Sequence, residues 1–232
     1  DKKYTGSYAA GYGIYDNTSN EEGVTVALEA SPTKHWQMRM AADYYHFFSA
    51  RYNAILPHNG FKVLGEVLHN SPRWQNQLSV KFSAKPDQVT PNFKSRRNTL
   101  SLKLQSAFKI NNKLEVRARG QYVYTNKNQH IDLGHMFSAD LIYTANSKFK
   151  SQFRVAYHNT DSYYSRIYLY ENNVLYGYYT PSFQGEGWRG YLNLSYKPLK
   201  SFTIYAKGGV TYRPSDNQPA QGDIVAQLRY TF

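Results

Sequence analysis

The sequence predicts an all-β fold, a transmembrane antiparallel up-and-down barrel of about fourteen strands, and three patterns carry that expectation. Apolar and polar residues alternate over long segments, the period of a strand with one oily and one wet face. The connections between these segments alternate between short and long, as in membrane barrels, whose turns are short on one side and whose loops are extended on the other. The chain closes on GDIVAQLRYTF, where Ile224, Ala226, Leu228, Tyr230 and Phe232 alternate with Val225, Gln227, Arg229 and Thr231. An apolar end gains little in water because termini fray. It suits a wall with lipid outside and water inside.

Composition permits such a wall. The chain has 232 residues, 41% hydrophobic, and a mean hydropathy of -0.67. Helical spanning is excluded, because no run of about 18–20 apolar residues occurs. Barrel strands escape that test, since only alternate residues meet lipid. The 23 tyrosines and the 16% aromatic share exceed what turns and cores need, and amphipathic rings collect as a girdle at membrane interfaces. A Tyr-rich soluble sandwich is the alternative, but its strands would average nearer about 5–6 residues than the roughly 9–13 read here. The absence of cysteine removes disulfides, thiolate metal sites and thiol nucleophiles together. No signal peptide precedes Asp1, so residues 1–232 read as a single barrel domain, either a mature chain or the C-terminal part of a longer one.

From the N-terminus, strands are expected at about Lys3–Tyr15 and, after DNTSNEE, at Gly23–Ser31, with Val24, Val26, Leu28 and Ala30 on one face. Past the SPTKH turn, Trp36–His46 turns Trp36, Met38, Met40, Ala42 and Tyr44 outward. The long connection FFSARYNAILPHN leads to Phe61–Leu68, and HNSPR to Trp74–Ala84, where Leu78, Val80 and Phe82 oppose Gln77, Ser79, Lys81 and Ser83. A long polar loop, KPDQVTPNFKSRR, opens Asn98–Ile110, with Leu100, Leu102, Leu104 and Phe108 outward; INNK turns the chain into Leu114–Tyr124. The loop NKNQHIDLGH precedes Met136–Thr144, and ANSK precedes Phe149–Tyr157. Two Tyr-rich strands, Ser165–Tyr170 and Val174–Tyr179, are expected around an ENN turn. TPSFQGEG then opens Trp188–Lys197, KPLK turns it into Phe202–Arg213, and PSDNQPAQ leads to the closing strand.

An even strand number places both termini in the periplasm of a Gram-negative cell, with the short turns beside them. Open edges in hydrocarbon leave backbone groups unpaired, so Tyr4–Tyr15 is expected to pair with Gly222–Phe232. Leu228, Tyr230 and Phe232 mark the terminal strand that a barrel-assembly machinery would engage. Outer-membrane lipid and lipopolysaccharide are the expected surroundings.

The inward phase is basic. It collects Arg39, Lys62, Lys81, Lys103, Lys109, Arg117, Arg119, Arg154, Lys207 and Arg229, against the acidic Glu29, Asp43, Glu66, Glu115 and Asp140. With a formal net charge of +12, a water-filled lumen of this kind concentrates anions, which makes the chain a porin-like transport conduit for anionic or polar solutes. Alternatively, the same charges pair with one another and with Tyr45, Tyr168 and Tyr205 to fill a plugged interior. Nothing points to an enzyme, and no cofactor or metal is expected. The seven histidines fall mostly at strand ends and loops, and the weak cluster of His130, Asp132 and His135 suits a solvated loop better than a metal or catalytic site. Lys94, Arg96 and Arg97 give a loop a basic rim able to meet lipopolysaccharide phosphates or DNA.

The stretch RIYLYENNVLYGYYTPSFQGEGWRGYLNLSYKP, from Arg166 to Pro198, carries Tyr168, Tyr170, Glu171, Asn172, Leu175 and Tyr176 around a tight turn. Gly185, Gly187, Arg189, Tyr191 and Leu192 follow, and Leu228, Arg229, Tyr230 and Phe232 close the chain. These features resemble the C-terminal barrel of Bacteroidota outer-membrane proteins whose periplasmic part carries competence-type helix-hairpin-helix repeats. The resemblance implies a binding or structural barrel that takes part in DNA uptake or holds a partner outer-membrane protein. This chain has no helical hairpin of its own, so that role would rest on a further periplasmic module.

Overall fold

The computed structural model describes residues 21–49, 56–90, 93–177, 179–214 and 219–231. Its strands are β1 (Glu21–Thr33), β2 (Trp36–Phe47), β3 (His58–Asn70), β4 (Trp74–Thr90), β5 (Phe93–Lys109), β6 (Leu114–Lys127), β7 (His130–Asn146), β8 (Phe149–Thr160), β9 (Ile167–Tyr168), β10 (Ser182–Phe183), β11 (Gly187–Leu199), β12 (Phe202–Tyr212) and β13 (Gln221–Tyr230). Eleven of them form one up-and-down antiparallel sheet in the order β1-β2-β3-β4-β5-β6-β7-β8-β11-β12-β13, while β9 and β10 pair only with each other. No helix among the described residues is long and apolar enough to cross a membrane.

The all-β, up-and-down expectation agrees with this sheet, and three details differ. The segments expected as strands at Ser165–Tyr170 and Val174–Tyr179 are not part of the sheet; they fold as a separate irregular hairpin between β8 and β11. Two long loops are also replaced by strand. KPDQVTPNFKSRR lies largely within β4 and β5, and NKNQHIDLGH reduces to a tight turn at Asn128 and Gln129, both left-handed at φ 52 and 67. Paired positive φ values give the twist that a two-residue hairpin needs. The ends at Lys85–Thr90 and Phe93–Arg97 lack apolar alternation, so periodicity could not find them and cross-strand charge supports them instead, whereas Ile131 and Leu133 alternate with Asp132 and Gly134 and extend β7 by the same rule. Asp87 on β4 lies 3.6 Å from Arg97 on β5 and 2.6 Å from Lys127 on β6. The strand at Lys3–Tyr15, its pairing with Gly222–Phe232, and Phe232 itself lie outside the described residues.

Contacts divide the chain into two compact units, Asp1–Leu68 with Ser79–Leu102 and Tyr124–Ile131, and His69–Leu78 with Lys103–Val123 and Asp132–Phe232. In the first, β1 and β2 are registered Val24 to Tyr44 and Leu28 to Met40, and these apolar side chains stand bare on one face. The opposite face holds the buried Tyr45 and Phe47, with rings 5.5 Å apart. It also carries ion pairs of Arg39 with Glu29 (3.4 Å) and Glu66 (3.9 Å), and of Lys62 with Asp43 (3.6 Å).

The second unit repeats this division more sharply. On β7, Asp132, Gly134, Met136, Ser138, Asp140 and Ile142 are buried, while Leu133, Phe137 and Leu141 between them are exposed. Register aligns aromatics of neighbouring strands, three exposed and Tyr157 half-buried, into a row: Phe137 faces Tyr157, Tyr157 faces Trp188, and Trp188 faces Tyr212. A second row lies near the short turns, where Phe149 faces Tyr196 and Phe202 faces Tyr230. From Phe149 to Tyr157 on β8 and from Trp188 to Tyr196 on β11 the separation is eight residues, or about 26 Å of extended strand.

The hairpin of residues 161–186 packs on the buried face of this unit. Ile167, Leu169 and Phe183 form an apolar cluster with Val123, Met136 and Ala156 of the sheet. The entry is tied down by backbone: Asp161 N donates to Leu133 O (2.9 Å), Leu133 N donates to the Asp161 carboxylate (2.8 Å), and Thr160 N donates to Gly185 O (3.1 Å). Ser162 caps the single turn of 3-10 helix, Tyr163–Ser165. Gly134 permits the approach, because a Cβ there would lie 2.3 Å from Ser165 O. Gly134→Val is therefore expected to push the hairpin's entry off β7 at about 1–3 kcal/mol. Faster hydrogen exchange at the Asp161 amide, with β11–β12 amides unchanged, is the signature to look for.

Candidate functional site

The alternation of β8, β11, β12 and β13 points Gln152 and Arg154, Arg189 and Tyr191, Lys207, and Asp223 to one face, and the hairpin brings Glu171 down among them. Glu171 is held between β9 and β10 by its N donating to Tyr179 O at 3.1 Å. Its carboxylate accepts two hydrogen bonds from the Arg189 guanidinium, Nε to Oε1 at 3.0 Å and Nη2 to Oε2 at 3.1 Å, and one from Lys207 Nζ at 2.8 Å. Planar, two-point contact between guanidinium and carboxylate is the strongest form of such pairing. Arg189 also donates to Asp223, with Nη2 3.2 Å from Oδ2, and to Thr211 Oγ1 at 3.1 Å. Gly209, opposite Asp223 in register, leaves the space that the guanidinium crosses: a Cβ there would lie 2.6 Å from Nη2.

A second charge pair lies one strand away. Asp140 on β7 faces Arg154 on β8 in register and accepts from its Nη2 at 2.7 Å, while Arg154 Nη1 donates to Tyr170 O of the hairpin at 2.6 Å. Arg154 and Lys207 flank the Tyr191 ring at 5.3 and 4.9 Å from its centroid, and Lys207 lies 4.7 Å from that of Tyr179. Tyr191 Oη accepts from Gln152 Nε2 at 3.0 Å, and Asn172 donates to Gln152. Beside the hairpin tip is a cavity of about 430 Å³ lined mainly by polar groups, among them Gln152, Asn172, Asn173, Asn193, Ser195 and Tyr205.

Of the inward residues expected from sequence, Arg154, Asp140 and Lys207 meet in this network. Arg119 borders it, donating to Gln121 Oε1 at 2.5 Å and to Tyr168 O at 3.2 Å. Arg117 pairs with Glu115 at 2.6 Å. Lys103 shares the phase of the buried Ala107, and Lys109 and Arg229 on the same phases are exposed strand-end residues. Arg39, Glu29, Glu66, Lys62, Asp43 and the exposed Lys81 belong to the first unit. Leu228 and Tyr230 stand on the bare face. Tyr45 is buried and Tyr205 half-buried, but Tyr168 is exposed, because its segment is hairpin and not part of the large sheet. Arg96 donates to Asn59. Of His130, Asp132 and His135, the first two share a phase of β7, His130 exposed and Asp132 buried, while His135 is on the opposite phase with its ring 6.1 Å from that of Tyr157. Among the described residues no group of three or more His, Asp or Glu side chains is placed to hold a metal ion.

The inward charged set omitted Arg189 and Asp223, although strand parity places both on the same phase as Arg154 and Lys207; Gln152 was already expected opposite the apolar face, beside Arg154. Glu171 had no such signal, since apolar residues occupy both phases just before it, Ile167 and Leu169 on one and Tyr168 and Tyr170 on the other.

No family model matches the chain, and no curated protein matches it in sequence, so neither comparison supports the helix-hairpin-helix or Bacteroidota resemblance. Among solved structures the chain is similar to the KdgM porin in complex with disordered oligogalacturonate, at 12% identity and a TM-score of 0.40, covering 91% of this chain and 92% of that one. It is similar to the NanC porin at 10% identity and a TM-score of 0.43, covering 92% of this chain and 94% of that one. The translocator domain of the autotransporter NalP from Neisseria meningitidis aligns at 9% identity and a TM-score of 0.33, over 91% of this chain and 80% of that one.

Proposed function

We propose that the chain is the wall of an outer-membrane β-barrel and serves as a porin-like conduit for anionic or polar solutes, narrowed by the hairpin 161–186. One observation carries this reading: the molecule is inverted. Leu28, Leu228 and Ile224 are 68%, 67% and 87% exposed, whereas Glu171, Arg189 and Lys207 are 0%, 2% and 2% exposed. In water that distribution costs free energy on both faces, because apolar area stays wet while charge is desolvated. Against lipid the bare face gains and the charged face becomes a lumen. The two aromatic rows suit a girdle: about 26 Å of strand tilted by roughly 40° spans about 20 Å of bilayer, near the apolar band of known barrels. Hydrocarbon forbids unpaired edges, so β1 and β13 both require a further partner for the wall to close, with the termini and the short turns on the periplasmic side.

The basic surplus on the inward phases favours anions. Purified chain in planar bilayers is expected to give stepwise conductance with a reversal potential shifted toward the anion in a salt gradient. A flat baseline would remove the conduit. A second reading, a binding or structural barrel for DNA or a partner protein, is favoured by the hairpin's occupation of the charged face in the second unit. Retention of DNA that falls steeply with salt would support it.

A further inference from the structure

We propose that Arg189 and Lys207 form a carboxylate-binding site on the inward face, that Glu171 is its self-supplied occupant, and that a carboxylate-bearing solute competes with Glu171 for it. The inference rests on the reading of this face as a lumen and adds the ligand chemistry. The cations and the anion differ in how they are held. Arg189 and Lys207 belong to neighbouring strands of the sheet, β11 and β12, whose ladder runs from Trp188 to Tyr212 through Leu199 to Phe202. Arg189 is further braced by Asp223 and Thr211, so its fork keeps its direction without Glu171. Tyr179 and Tyr191 close around Lys207 and limit its hydration. Glu171, in contrast, sits on a hairpin whose own pairing among the described residues is short: two residues on each side in β9 and β10, then a bridge between Glu171 and Tyr179.

The cradle therefore has the donor set for a carboxylate built into the rigid element, two guanidinium N–H groups and an ammonium converging on two oxygens, and the occupant on the element that is easier to move. A free carboxylate reproduces every hydrogen bond that Glu171 makes to the wall. Chloride, lacking a second acceptor atom, does not match the fork. Since the hairpin is anchored by this contact, occupation by a solute weakens the hairpin's hold on the sheet by the same coupling.

Two measurements on the full chain in detergent micelles test the proposal, with acetate as probe and chloride at equal ionic strength as reference. In Glu171→Ala the vacated cradle is expected to bind acetate about tenfold more tightly than chloride and to regain thermal stability with it. Glu171→Gln, which keeps the shape and loses the charge, provides a folded alternative in which the same acetate-dependent stabilisation is expected. In the unsubstituted chain, acetate is expected to accelerate hydrogen exchange at the Leu169 and Glu171 amides, which donate to Pro181 O and Tyr179 O, relative to chloride. Equal response of both variants to acetate and chloride would sink the cradle. Unchanged exchange in the unsubstituted chain would sink the competition. Neither readout uses conductance, so a failed conduit and a failed carboxylate site give different results.

Discussion

Leu192→Arg is expected to destabilise the chain in lipid bilayers by about 2–4 kcal/mol, the cost of a cation at mid-membrane on a barrel's lipid face. Leu192 is exposed, faces Phe153 and Gly208 in register, and lies midway between Trp188 and Tyr196, which belong to the two aromatic rows. Depth is the discriminating variable. Tyr196→Arg, placed in the row near the short turns, is expected to cost only about 0–1 kcal/mol. On a water-facing sheet both changes would fall within about ±0.5 kcal/mol, the usual range for exposed substitutions. Equilibrium unfolding from vesicles separates the two cases; equal small effects at both positions would return the bare face to water and remove the membrane reading.

The second large effect is expected from Arg189→Met. Arg189 is the cation shared by Glu171 and Asp223, and it is buried with Glu171. Methionine keeps the length and the apolar stem but leaves two carboxylates facing a single ammonium, that of Lys207. Removing one partner from a buried ion network costs about 3–5 kcal/mol, because the remaining charge stays desolvated without compensation. Replacing Glu171 by methionine as well removes much of that uncompensated charge. The double variant is therefore expected to lose less than the sum of the single losses, with a coupling of about 0.5–3 kcal/mol. Denaturant unfolding of the four proteins of the cycle measures it. Additive losses would mean that Arg189 supports the fold independently of the hairpin.

Parity made most of the sheet legible. Val24 to Ala30, Trp36 to Tyr44, Leu78 to Phe82 and Leu100 to Leu104 alternate because one face is apolar and the other polar, and period two has a single structural solution. The inward placement of Arg154, Asp140 and Lys207 followed from that rule alone. Where apolar alternation stops the rule is silent: Lys85 to Thr90 and Phe93 to Arg97 are mostly polar with no alternation, and they read as loop although β4 and β5 continue through them. The opposite error came at Ser165–Tyr170 and Val174–Tyr179, where aliphatic and aromatic residues together fill both phases and imitate a sheet strand. Ile167 and Leu169 there bury themselves against Met136 and Ala156 instead of facing outward.

The sequence by itself determined which side of each regular strand is oily and how those strands follow one another. These are local properties, set by residue type and a two-residue period. Only the tertiary structure decided that the chain between β8 and β11 turns onto the charged face and that Glu171 meets Arg189 and Lys207 there. Those contacts join residues 18 and 36 positions apart, and no periodic pattern encodes which distant carboxylate a buried cation will take. That choice is made by which anion can reach the cradle with its desolvation offset on every side.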